Sequence, residues 1–172
     1  MNTIKIYNPH HCPVRAGGFT LIELLVAMII LVSGVMGVAA LQIATYKQLQ
    51  TSHNFGYAAI LAGEMADRMM ANTNALADYV HDADSAEDAD TNCSTNTCTS
   101  TQMATYDVER WQTQVAGNTP GSLPSGDGEI TSAGSVYTIT VRWDDDLSGS
   151  DETGCSTSNT DDLDCYTVTI GF

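Results

Sequence analysis

Three groups of residues carry whatever chemistry this 172-residue chain can do. The first is Asp144-Asp145-Asp146-Leu147-Ser148-Gly149, where hard oxygens on Asp144, Asp146 and Ser148 precede a glycine turn, as in the first half of a calcium loop. The second half departs from that pattern. Cys155 stands where a bidentate Glu belongs, although Asp161, Asp162 and Asp164 follow closely. A solvated acidic loop is the competing reading, and no cofactor is expected apart from this calcium candidate. The second group is the cysteines. Cys12 lies near the start, leaving Cys93, Cys98, Cys155 and Cys165, an even set suited to disulfides in an oxidising compartment. The local pairing, Cys93 with Cys98 and Cys155 with Cys165, is favoured among three connectivities because each bridge closes a small loop of polar, turn-forming residues. Zinc competes poorly, since neither spacing is the short Cys-x-x-Cys kind and His53 and His81 stand alone. The third group is a single residue, Glu23, the one charge in the apolar run from Phe19 to Leu41. A carboxylate in hydrocarbon costs about 3 kcal/mol or more unless it is neutralised or paired, so such a residue points to function.

Catalysis finds no such support. The chain has no Gly-x-Ser-x-Gly, phosphate loop or His-Glu-x-x-His, and its paired carboxylates lie in Ser- and Gly-rich stretches with nothing apolar to raise a pKa. No enzyme is predicted. With 6 basic against 21 acidic side chains and a formal charge of -15, the chain is also a poor binder of nucleic acid or of an anionic membrane surface.

These residues need elements to hold them. Phe19 to Leu41 is 23 residues, roughly 34 Å as a helix against a hydrocarbon core of about 30 Å, so it reads as a transmembrane helix. A secretory signal peptide is the plainer alternative, but its apolar region is shorter and ends at a small-residue cleavage site. Lys5 and Arg15 precede the run and acids dominate after it, which places the N-terminus in the cytoplasm and the body outside.

The residues Gly17-Gly18-Phe19-Thr20-Leu21-Ile22-Glu23-Leu24-Leu25-Val26-Ala27 resemble the class III signal of type IV prepilins and pseudopilins. The resemblance implies cleavage after Gly18 by a membrane-embedded prepilin peptidase and N-methylation of the new amine on Phe19. It implies that Glu23 neutralises the N-terminal amine of an adjacent subunit as helices pack into a filament. Leu21, Ile22, Leu24, Leu25 and the apolar residues after them would form that filament core, contacting lipid first and other subunits later. A buried pair of this kind fixes register more than it adds stability. Where major pilins often carry a helix-breaking Pro, this chain has Ala40, so any local melting on assembly would centre on Gly34 and Gly37.

The helical pattern continues to about Asn72, with Leu49, Phe55, Ala59, Leu61, Met65, Met69 and Met70 at three- and four-residue intervals. Glu64-Met65-Ala66-Asp67-Arg68-Met69-Met70-Ala71-Asn72 is similar to the end of the first helix in minor pilins of the PilV (type IV pilus modification protein) type. The plainer reading is an ordinary amphipathic helix end with Asp67 and Arg68 solvated. Residues 73–104 read as a loop region, about 105–116 as a short amphipathic helix ended by Gly117 and Pro120, and 117–128 as turns. Tyr137, Ile139, Val141 and Trp143 alternate on one strand face, Tyr166, Val168, Ile170 and Phe172 on another, with Gly128 to Ser132 as a third, edge strand.

The expected architecture is α+β, a pilin fold with a long N-terminal helix packed on a small antiparallel sheet. Its parts are a leader at 1–18, a transmembrane or filament-core helix at 19–42, an amphipathic continuation at 43–72, and a head with two disulfide loops at 73–172. The function implied is a minor subunit of a type IV pilus, acting in assembly and through it in adhesion or motility. Its partners would be prepilin peptidase, other minor and major pilins and the inner-membrane assembly machinery. It would start as a single-pass inner-membrane protein with its head in the periplasm and end in the surface pilus. A type II secretion pseudopilin is the near alternative, and a membrane-tethered periplasmic binding module the distant one.

Overall fold

The computed structural model describes residues 17–83, 89–117, 122–149, 154–155 and 162–172. The basic leader, the second half of the calcium pattern at Asp151, Glu152 and Asp161, and Pro120 lie outside the described residues. The chain divides into two compact units, one up to Ala44 and one from Thr45 to Phe172.

In the first unit, helix α1 (Leu21–Ala71) begins. Thr20 starts it, its Oγ1 accepting the Glu23 backbone N–H at 3.3 Å, which satisfies one of the orphan donors of a helix N-terminus. Leu, Ile, Val, Met and Ala then dominate, and this is the one helix among the described residues long and apolar enough to cross a membrane. Gly34 and Gly37 do not interrupt it. Ser33 Oγ donates to the Ile30 carbonyl at 2.8 Å, so the hydroxyl is satisfied within the helix itself.

In the second unit the rest of α1 buries Asn54, Ala58, Leu61, Ala62, Met65, Ala66 and Met69. Leu61, Met65 and Met69 of the expected apolar spacing lie in this stripe. Leu49, Phe55 and Met70 of that spacing are exposed instead, with Leu49 at 64%, and Asn54, Ala58, Ala62 and Ala66 fill the buried stripe beside the large side chains. Phe55 still makes edge contacts with Tyr166 and Trp143, ring centroids 5.2 and 6.4 Å apart.

The 73–104 region is more ordered than a loop. A 3-10 stretch, Thr73–Tyr79, kinks at Ala75 and buries Ala75 and Tyr79. His81 pairs with Ile130 through two backbone hydrogen bonds of 2.9 and 2.8 Å. Helix α2 (Ser100–Val115) starts five residues before the expected place. The reason is a capping box: Thr99 accepts from the Gln102 backbone while the Gln102 side chain accepts from the Thr99 backbone.

The sheet has order β1-β2-β3, antiparallel throughout, formed by β1 (Asp127–Ala133), β2 (Val136–Trp143) and β3 (Asp164–Gly171). Ile130, Ile139 and Val168 are direct partners across it. A two-residue turn joins β1 to β2, with Gly134 at φ 67 where a right-twisted hairpin needs a left-handed first residue. Tyr137, Ile139, Val141 and Trp143 are all buried, while Tyr166, Val168 and Ile170 pack half-buried against the same core. Trp111, Val108 and Val115 of α2 complete it, and the Trp111 indole N–H donates to the Leu61 carbonyl at 2.9 Å. The result is an α+β pilin fold, a long N-terminal helix with a small three-stranded antiparallel sheet.

Candidate processing and assembly site

Gly17, Gly18, Phe19 and Thr20 precede the first helical turn and carry no regular structure. Phe19 is 84% exposed, and a Cβ on Gly18 would meet nothing within 4 Å, so no packing among the described residues calls for glycine there. The peptide bond after Gly18 therefore stands in an open segment one residue before the helix cap. Glu23 lies in the first turn of α1, where the helix dipole favours a carboxylate. Around and beyond it Leu21, Ile22, Leu24, Leu25, Met28 and Ile29 are exposed, and this unit buries none of its apolar window. A helix apolar on all sides and exposed over this window needs lipid or other helices around it.

The Glu64–Asn72 segment is a junction within the second unit. Arg68 Nη1 donates to Asp107 Oδ1 at 2.8 Å and Nη2 to Glu64 Oε1 at 2.7 Å. Tyr79 Oη donates to Asp107 Oδ2 at 2.9 Å, and Asn72 Nδ2 donates to Tyr79 Oη at 3.2 Å and to the Ser100 carbonyl at 2.8 Å. Arg68 of α1 and Tyr79 of the 3-10 stretch thus meet on one buried carboxylate of α2. Burial pushes the Tyr79 phenol up, the bond to Asp107 adding to this and the bond to Asn72 opposing it. Burial would lower Arg68, but hydrogen bonds and charge from Glu64 and Asp107 outweigh it and hold the guanidinium further up. Asp67 is solvated as the plainer reading had it; Arg68 is not. Asp107 gave no signal in the sequence, because a single Asp in a helix becomes informative only once Arg68 is known to face it.

Asp144, Asp146 and Ser148 come together, but their atoms serve one another. Asp144 Oδ1 accepts the Ser148 N–H at 3.0 Å, Asp144 Oδ2 the Gly149 N–H at 2.8 Å, and Asp146 Oδ1 the Ser148 N–H at 3.0 Å. The Ser148 hydrogen bonds, side chain and then backbone, hold Asp146 below the usual carboxylate range. Among the described residues no three His, Cys, Asp or Glu side chains are grouped to hold a metal ion. Asp145, unremarkable in the sequence, accepts from Thr51 Oγ1 at 2.5 Å, Asn54 Nδ2 at 2.8 Å and Trp143 Nε1 at 3.2 Å, tying the end of β2 to α1. On the other side of the sheet Arg142 pairs with Asp127 and Glu129.

Disulfides join Cys93 to Cys98 and Cys155 to Cys165. The first closes the loop that leads into the α2 cap. The second clips the 154–155 segment to the start of β3.

Two family models match in tandem. One, described as a prokaryotic N-terminal methylation motif, covers residues 14–39, and the other, described as type IV pilin Tt1218, covers residues 40–109. Neither the curated proteins nor the solved structures contain a match. With the fold above, these matches make the chain a type IV pilin-like prepilin, a structural class and not an enzyme family. The methylation motif implies processing by prepilin peptidase, anchoring in a membrane by the apolar helix, and assembly with other pilins.

Proposed function

We propose that this chain is a minor pilin of the PilV type, a low-abundance subunit that helps initiate a type IV pilus with other minor and major pilins. The observation that carries the reading is the pairing of two parts. One is a helix whose apolar run from Leu21 is exposed and whose single charge, Glu23, sits in its first turn. The other is a head with its own core. Prepilin peptidase cuts between Gly18 and Phe19, and the new amine of Phe19 is methylated. Glu23 then pairs with the amine of a neighbouring subunit, because a carboxylate within packed apolar helices is tolerated only when neutralised. The head faces the periplasm before assembly and the surface filament after it. The Glu64–Asn72 junction and the two cysteine loops support a pilus subunit over a type II secretion pseudopilin. The Asp144–Ser148 loop is read as an internally bonded acidic turn that takes no calcium.

The test is the intact mass and N-terminal sequence of the protein recovered from sheared surface filaments and from the membrane. A chain beginning at methylated Phe19 and present in filaments supports the reading. A chain beginning at Met1, or found only with a secretion system, overturns it in favour of a tethered module or a pseudopilin.

A further inference from the structure

Nine asparagines occur in the sequence, and one of them, Asn92, is followed two positions on by a hydroxyl residue with a non-proline between: Asn92-Cys93-Ser94. Asn-x-Ser/Thr is the acceptor pattern for N-linked sugars, because a transferase engages the hydroxyl while it draws on the carboxamide nitrogen. The structure adds three observations. Asp90, Asn92 and Ser94 are exposed, whereas Thr91 and Cys93 between them are half-buried, so the loop presents the acceptor and its two polar flanks together. Asn92 Oδ1 accepts the Ser94 backbone N–H at 2.9 Å, which turns the side chain back over its own hydroxyl residue. The Cys93–Cys98 bridge holds that loop in place, and Ser94, Thr95, Asn96 and Thr97 are exposed, which leaves room for a bulky attachment. Ser94 Oγ and Tyr106 Oη share a hydrogen bond of 2.6 Å at the surface, one that water can replace.

We infer that Asn92 is an N-glycosylation site, taking an oligosaccharide from a lipid-diphosphate donor outside the cytoplasm. In the transfer, a bond forms between Asn92 Nδ2 and the anomeric carbon of the first sugar as the bond from that carbon to the diphosphate oxygen breaks. The lipid diphosphate leaves with the electron pair, and a base of the transferase takes the proton from Nδ2. The inference rests on the reading that places the head outside the cytoplasm.

Peptide mass spectrometry of the full chain recovered from its own cells tests it, with the N-terminus read in the same experiment. The Asn92 peptide is expected to carry a hexose- or hexosamine-based mass increment. That increment is expected to vanish in Asn92→Asp and Ser94→Ala and to survive in Ser94→Thr and Asn96→Gln. Asn92→Asp keeps the acceptor oxygen for the Ser94 N–H and removes only the nucleophilic nitrogen, so a purely structural role for Asn92 would leave that variant indistinguishable from wild type. A bare Asn92 overturns the inference whatever the N-terminus. If that bare chain begins at Phe19 the pilin reading stands, and if it begins at Met1 both fall. An increment that persists in Asn92→Asp and disappears in Ser94→Ala also overturns it, in favour of a hydroxyl-linked sugar.

Discussion

Arg68 and Asp107, 39 residues apart in sequence, form a charged hydrogen bond of 2.8 Å between the last turn of α1 and the middle of α2. Their side chains are 26% and 11% exposed, so the pair is largely out of water. Asp107 also accepts from Tyr79, and Tyr79 in turn accepts from Asn72, so one carboxylate is the common acceptor for α1 and the 3-10 stretch. The apolar core supplies more energy, at about 1.5–3 kcal/mol for each large buried side chain. That attraction is non-directional. The charged network fixes the angle at which α2 leaves the helix end.

Removing the charge alone should therefore be costly. Asp107→Asn keeps the shape but leaves Arg68 with Glu64 as its only anion and denies Tyr79 a strong acceptor. Breaking one side of a buried pair costs about 3–5 kcal/mol, and the partial exposure of Arg68 brings the expectation to the lower end. Urea unfolding followed by fluorescence of Trp111 and Trp143, both in the core, should show this loss. A change smaller than about 0.5 kcal/mol, the scale of ordinary surface substitutions, would mean that the network is ornamental.

Asp164 offers a test by pH. It starts β3 opposite Trp143, and partial burial followed by the charges of Asp145, Asp146 and Asp144 raises its pKa. The folded head thus holds this proton to a higher pH than the unfolded chain does. The stability linked to it is complete below about pH 4, the ordinary Asp value, and is lost as pH rises through the folded pKa. Asp164→Asn should stabilise the head at pH 7 by a fraction of a kcal/mol, the scale of a like-charge contact in a sheet. The gain should fade on acidification toward pH 4. An equal gain at both pH values would assign the effect to something other than charge.

Much of this was legible in residue types and spacing. The apolar run with its single acid, the alternation on β2 and β3, and the edge strand near Gly128 all follow from local periodicity, which one strand or helix face displays by itself. What was not legible depends on partners far along the chain. Asp107, Asn54 and Asp145 look like ordinary polar residues until Arg68, Trp143 and α1 stand beside them. The buried stripe of α1 was legible at Leu61, Met65 and Met69 but not at its edges, where Asn54 and alanines at 58, 62 and 66 make the close contact while Leu49, Phe55 and Met70 stay outside. The early start of α2 did have a local signal, Thr99 with Gln102, concealed in a Ser- and Thr-rich stretch that reads as loop.

Gly128 reports on how closely β1 meets α2. A Cβ there would lie 2.5 Å from two ring carbons of Trp111, and the ring cannot retreat without stretching its 2.9 Å bond to the Leu61 carbonyl. Gly128→Ala should cost about 1–3 kcal/mol, the range for overpacking a filled core. It should also red-shift the Trp111 emission. Gly63→Ala, where an added Cβ meets nothing within 4 Å, is the control and should leave both unchanged or slightly raise stability through helix propensity.

Glu23 separates assembly from folding. It is exposed in the first turn of α1, in the unit that precedes the head. Glu23→Ala should therefore leave the unfolding midpoint of the head and the amount of protein in the membrane unchanged. If Glu23 pairs with a neighbour's amine as proposed, the same substitution leaves that amine unpaired among apolar helices in the filament, at a cost of about 3 kcal/mol or more. Since about 1.4 kcal/mol is already tenfold in an equilibrium, the ratio of filament to membrane protein should fall at least about tenfold. That ratio is read by quantifying the chain in sheared filaments against the membrane fraction. An unchanged ratio with an intact head would show that the apolar helix alone drives incorporation, and would remove Glu23 from the assembly step.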